Sequence, residues 1–284
     1  MSGMKRLHLS RTRSAAVFFA LAVANSWGCW AVVIAAQHRY LSLPPGSAST
    51  LVLLGTFGPL FSALTMVARP AGFRGVAGLL GQAFRWRIGL KWYVAALVAP
   101  AIVRFAVLGI HLLKGGTLPD MDDPARWLAI PATFLMVLIL GGPLAEEFGW
   151  RGYALPRLQP RTGALSASLV IGVSTAIWHL PLFLIPSTAQ SHLPFALFLV
   201  RTLALAVIST WLYNGSGKSL LIVLLFHASL NTWPNTLFIL EAQGTIGPYI
   251  STTILYTGWA CLLILLSWVS TGRERVTNVE RPAA

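Results

Sequence analysis

The sequence predicts an all-α, polytopic membrane bundle of about eight transmembrane helices with both termini cytoplasmic, and three observations carry that prediction. Of 284 residues, 56% are hydrophobic and only 10% are charged, whereas a soluble domain carries about a quarter charged residues, so the chain cannot coat its own surface for water. The apolar residues gather into runs long enough to cross a hydrocarbon core, each needing about 20 mainly apolar positions. The net charge of +13 sits almost wholly between those runs. A soluble enzyme and a disordered chain are both excluded; disorder requires a poverty of apolar and aromatic residues, and there are 11 Trp and 14 Phe.

In order, the runs span roughly residues 14–37, 51–68, 90–113, 127–149, 163–185, 193–213, 219–240 and 249–270. The first is too long for the apolar segment of an ordinary signal peptide and lacks a small-residue cleavage site, so it is expected as a retained span. A basic segment 1–13 precedes a single transmembrane domain over 14–270, and a tail 271–284 follows it. The longest connection, residues 69–90, mixes Phe73, Leu79, Leu80, Phe84 and Trp86 with arginines, the composition of an interfacial amphipathic helix. No inverted repeat of the kind common in transporters is apparent. Cys29 and Cys261 lie inside apolar runs and match no metal or redox spacing.

The basic residues orient the bundle. One side collects Lys5, Arg6, Arg11, Arg13, Arg69, Arg74, Arg85, Arg87, Lys91, Arg151, Arg157, Arg161, Lys218, Arg273, Arg275 and Arg281; the other collects Arg39, Lys114 and Arg126. Sixteen against three places both termini in the cytoplasm by the positive-inside rule. The basic excess is thus topological signal and contact with anionic lipid headgroups, and nucleic acid is not an expected partner.

Charge inside a span is expensive, about 2.5–3.5 kcal/mol for an acidic or basic side chain at its centre, so the eight acids can be sorted by place. Asp120, Asp122, Asp123, Glu241, Glu274 and Glu280 fall in loops or the tail, leaving adjacent Glu146 and Glu147 near the end of the fourth run. Glu147 and Arg151 are four apart, one turn of helix, and pair on one face. Glu146 points about a quarter turn away, without a cation at that spacing. Two histidines, His179 and His227, lie deep within the fifth and seventh runs, and Asn231 follows His227 by one turn on the same face. Each alone reads as an interhelical hydrogen bond; together, three spans bring a carboxylate, two imidazoles and an amide, a set suited to hydrolysis. Pro181 loosens the backbone just after His179. Arg104 and Arg201 also lie within runs, with snorkelling, an ion pair or a substrate carboxylate as open roles.

Glu-Glu-x-x-x-Arg at 146–151, the Trp178-His179 pair and His-x-x-x-Asn at 227–231 resemble the motifs of the CPBP (Abi) family of intramembrane proteases, which includes type II CAAX prenyl endopeptidases and proteins of bacteriocin self-immunity. The resemblance covers a core of about 141–234, and one position departs from it: Thr175 stands where the family usually has Phe. It implies that Glu146 and His179 activate a water while His227 and Asn231 stabilise the oxyanion, the developing charge that preorganised donors serve best. It further implies a membrane-associated substrate, prenylated CAAX proteins among them, cut near its cytoplasmic end in a plasma membrane, with the site opening to the cytoplasm.

No His-Glu-x-x-His run is present and Asn231 is a poor zinc ligand, so hydrolysis without a cofactor is expected; a zinc ion held by Glu146, His179 and His227 is the alternative, since two His and a Glu make a thermolysin-like set. Two other classes compete. A catalytically silent relative acting in toxin immunity or as an adaptor has no need of all four polar groups, and a transporter would use Glu146 with Arg104 or Arg201 as a charge relay.

Overall fold

The computed structural model describes residues 2–118, 124–236 and 246–279. Asp120, Asp122, Asp123, Glu241, Glu280, Arg281 and the last four residues of the seventh run lie outside them. All regular structure among the described residues is helical: α1 Ser2–Gln37, α2 Ser47–Thr56, α3 Gly58–Leu80, α4 Leu90–Leu113, α5 Pro124–Leu128, α6 Ile130–Leu140, α7 Pro143–Glu147, α8 Leu155–Trp178, α9 Phe195–Gly215, α10 Leu220–Thr236 and α11 Gly247–Val279.

All eight apolar runs are helical, but they are not eight simple rods. Ser14–Gln37, Leu90–Leu113, Ile130–Leu184, Phe195–Gly215 and Gly247–Ser267 are long and apolar enough to cross a membrane, and α2 with α3 makes a sixth that bends by 46° at Phe57. The fourth and fifth runs merge into the 55-residue stretch Ile130–Leu184, and the seventh is the shorter apolar helix Leu220–Pro234. Helices α1 and α11 continue through the expected segment boundaries near residues 13 and 271. Large apolar side chains such as Phe61, Ile102, Leu135, Ile254 and Leu265 remain exposed along these helices, as lipid-facing positions require.

Two apolar cores flank the bundle's centre. In one, α1, α3 and α8 close around Phe18, Trp30, Trp150, Tyr153 and Trp178, all at most 1% exposed. Indole N–H groups need partners when buried, and these find them across helices: Trp27 donates to the carbonyl of Trp178 at 2.9 Å, Trp178 to the Ser26 hydroxyl at 2.6 Å, and Trp30 to the carbonyl of Val52 at 3.0 Å. Helix α1 therefore clamps the C-terminal end of α8, immediately before His179. Gly149 lets the chain approach closely here, since a Cβ would stand 2.7 Å from Pro59 Cβ and 2.9 Å from its carbonyl oxygen. The second core joins α4, α9, α10 and α11 through Ala96, Ile208, Leu212, Ile222, Phe226 and Tyr256.

The connection at 69–90 is helical as expected, but it is the continuation of α3. Pro70 and Gly72, the latter at φ 54°, ψ −142°, break the helix, and a 3₁₀ turn at Gly81–Phe84 ends it. Phe73, Phe84 and Trp86 project outward, whereas Leu79 is buried in the first core. Hydrogen bonds then fasten this segment over the end of the bundle: Tyr213 Oη donates to Gln82 Oε1 at 3.3 Å, Gln82 Nε2 to the Gly152 carbonyl at 3.4 Å, and Ser219 Oγ to the Arg85 carbonyl at 2.8 Å.

Candidate active site

The fourth apolar run does not end as one helix. Helix α6 stops at Leu140, Gly142 turns the chain at φ 111°, and α7 starts at Pro143. A side chain at Gly142 would be strained by that φ, and its Cβ would meet Glu146 Oε1 at 2.8 Å; only glycine makes the turn and leaves the carboxylate room. Residues Phe148–Ala154 then wind as a π-helix before α8 resumes. Such bulges are frequent at functional sites because the extra residue re-aims the side chains around it.

Glu146 and Glu147 are both buried, at 7% and 1% exposure, yet their surroundings differ. Glu147 accepts from Arg151 Nη1 at 3.1 Å through both oxygens and from His227 Nδ1 at 2.8 Å. The expected pair with Arg151 is present, but Arg151 is 6% exposed, a buried partner where the charge count had placed it in a basic loop. The bond to His227 is one the sequence reading missed, because the two residues are 80 positions apart. Glu146 takes a neutral donor, the Trp150 indole N–H, at 3.3 Å. No other hydrogen bond or ion pair of Glu146 forms among the described residues.

The histidines are each held by one nitrogen. His179 ends α8 as the helix gives way to a 3₁₀ turn over Leu180–Leu184, the loosening expected around Pro181. Its Nδ1 lies 2.8 Å from the Thr175 carbonyl; a carbonyl can only accept, so Nδ1 carries the proton and Nε2 the lone pair. The ring stands edge-on to Trp178 at 4.5 Å and to Phe198 at 5.0 Å. His227 spends Nδ1 on Glu147, leaving Nε2 for other partners. Asn231, one turn further along α10, reaches the Gly141 carbonyl at 3.4 Å. Thr175 carries a hydroxyl that is buried with no hydrogen-bond partner among the described residues.

A cavity of about 530 Å³ gathers these groups: Glu146, Glu147, Arg151, Thr175, His179, Arg201, His227 and Asn231 all line it. Arg104 does not; it lies beside a small void of about 20 Å³ that it shares with Arg201. Among the described residues no group of three His, Cys, Asp or Glu side chains is placed to hold an ion, so Glu146, His179 and His227 share the cavity without forming a ligand set.

The cavity extends along α9 and α10. At 1.5 Å per residue, His227 and Asn231 lie about 10 and 16 Å along α10 from Leu220, and Arg201 lies about 21 Å along α9 from Gly215. Beyond them the lining continues to Ser49 and to Ser187, Thr188, Ala189 and Gln190, which follow runs that leave the Lys/Arg-rich side. Toward the other end of these helices Leu79, Tyr153, Tyr213 and Leu220 are each at most 4% exposed.

With this geometry in place, comparison with known proteins is direct. Residues 126–233, which contain all seven motif residues, match the Rce1-like family of type II CAAX prenyl endopeptidases. A protein of Methanococcus maripaludis named CAAX prenyl protease 2 is 25% identical over 208 residues, covering 69% of this chain and 75% of that protein. The matched stretch starts before α6 and ends within α10, so it spans the cavity-lining residues from Leu140 to Asn231; α2, which supplies Ser49, Val52, Leu53 and Thr56, lies outside it.

Proposed function

We propose that this protein is an intramembrane endopeptidase that hydrolyses a peptide bond in a membrane-associated substrate, without a metal ion. The observation that carries the reading is the convergence of Glu146, His179, His227 and Asn231, from α7, the end of α8 and α10, on one cavity. Burial in a poorly hydrated site strengthens every such interaction. The names of the matching family and relative make prenylated CAAX-type proteins the substrate class to test first.

Each group has work that its bonds permit. Water held between Glu146 and the His179 Nε2 lone pair loses a proton to this pair as its oxygen attacks the scissile carbonyl. The carbonyl oxygen becomes an oxyanion facing Asn231 Nδ2 and His227 Nε2. Since His227 Nδ1–H is committed to Glu147, the ring donates from Nε2 as the imidazolium, and the Glu147 carboxylate balances that charge while fixing the ring plane, the task of the acid in other hydrolytic triads. Collapse of the tetrahedral intermediate breaks the C–N bond, and the proton taken from water passes to the leaving amine, giving one new carboxylate and one new amine.

The test is cleavage by the reconstituted protein. Purified protein in liposomes is incubated with farnesylated CAAX peptides and a mixed peptide pool, with and without a chelator, and new termini are mapped by mass spectrometry. Two complementary fragments unaffected by the chelator are expected. Loss of cleavage on chelation overturns the metal-free part, and no new termini from folded protein moves the reading to a binding or immunity role.

The charge distribution and the cavity's lip together support entry from the Lys/Arg-poor face, opposite the cytoplasm. In a Cys29→Ser, Cys261→Ser background, Gln190→Cys is expected to react with a membrane-impermeant maleimide in intact cells. Labelling only after the cells are opened reverses the assigned side.

A further inference from the structure

We propose that Arg201 binds the C-terminal carboxylate of the peptide, an assignment that rests on the endopeptidase reading and names what selects its substrate. Helix α9 turns one face to the cavity through Phe198, Arg201, Thr202, Leu205 and Ser209, the spacing of a single helical stripe. The Phe198 and His179 rings stand edge-on with centroids 5.0 Å apart, so Arg201, one turn further along α9, faces the cavity close to the reacting groups.

Its guanidinium is a cation kept inside a membrane helix at high cost, yet no counter-charge stands beside it among the described residues. Arg201 Nε is buried with no hydrogen-bond partner, and among the described residues no carboxylate lies within ion-pair distance of Arg201. Arg151 shows the contrast, since its Nη1 is held by Glu147. What Arg201 does have is a platform: its guanidinium carbon sits 4.5 Å from the centre of the Tyr249 ring. Such stacking fixes the plane of the fork while leaving its edge for an acceptor. The planar edge of a guanidinium matches a carboxylate through two parallel N–H···O bonds. The backbone of an internal stretch of peptide offers no such group, but the C-terminal residue does, and a chain end entering past Ser187–Gln190 meets Arg201 before Asn231 and His227.

The test measures binding apart from cleavage. Glu146→Gln protein in zwitterionic nanodiscs is titrated with two fluorescent farnesylated peptides that differ only in ending as an acid or an amide. The acid is expected to bind about tenfold or more tighter, the scale of a charge-assisted hydrogen bond kept from water. Adding Arg201→Gln brings the ratio to about one by weakening the acid peptide alone, and Arg201→Lys retains part of the preference. Equal affinities in the starting protein, a preference that survives Arg201→Gln, or equal weakening of both peptides overturns the assignment. Wild-type cleavage is scored separately: an acid preference that depends on Arg201 without any cleavage removes the endopeptidase reading and leaves the carboxylate site standing.

Discussion

Glu146→Gln abolishes peptide cleavage, with kcat falling by roughly 10²–10⁴-fold, the contribution of a positioned general base. The substitution is close to isosteric, and its amide oxygen still accepts the Trp150 indole N–H that Glu146 Oε2 accepts at 3.3 Å. It introduces no unpaired cation, because no ion-pair partner of Glu146 exists among the described residues to be stranded. Thermal stability in detergent should therefore stay close to wild type while activity disappears. A measurement of both on one preparation decides the matter: retained cleavage moves the base to another residue, and joint loss of stability and activity makes Glu146 structural.

How much of this arrangement the sequence discloses depends on the distance over which each interaction acts. Helices in lipid must satisfy their own backbone within one segment, so all eight are legible as apolar runs, and the Glu147–Arg151 pair is legible because four residues make one turn. The Gly142 turn and the π-helix at 148–154 are hidden inside a run whose hydropathy alone reads as continuous, although Gly141-Gly142-Pro143 marks the place. The His227–Glu147 bond joins α10 to α7 across 80 residues, and no local spacing encodes it. Sidedness divides in the same way. Arginines and lysines carry the expected orientation, but part of the cavity lining is built from Ser49 and Ser187–Gln190, uncharged residues that leave no mark in a charge count.

The second large effect concerns the carboxylate that is not proposed to touch the substrate. Glu147 is 1% and Arg151 6% exposed, and removing one member of a buried pair leaves the other's charge uncompensated, a cost of about 3–5 kcal/mol. Glu147→Leu is accordingly expected to lower stability severely and to release His227 Nδ1 from its acceptor. Arg151→Met alone should also destabilise, since Glu147 would keep only His227 as partner. Combining the two replaces the pair by apolar side chains, which is often neutral or better for stability, so the double variant should regain most of the lost unfolding temperature. Cleavage should not return with it, because an aliphatic side chain in place of the carboxylate cannot orient the His227 ring or balance its charge. A double-mutant cycle in both quantities makes the distinction: if stability and kcat recover together, Glu147 serves folding alone, and if stability recovers while kcat stays low, Glu147 positions the oxyanion donor.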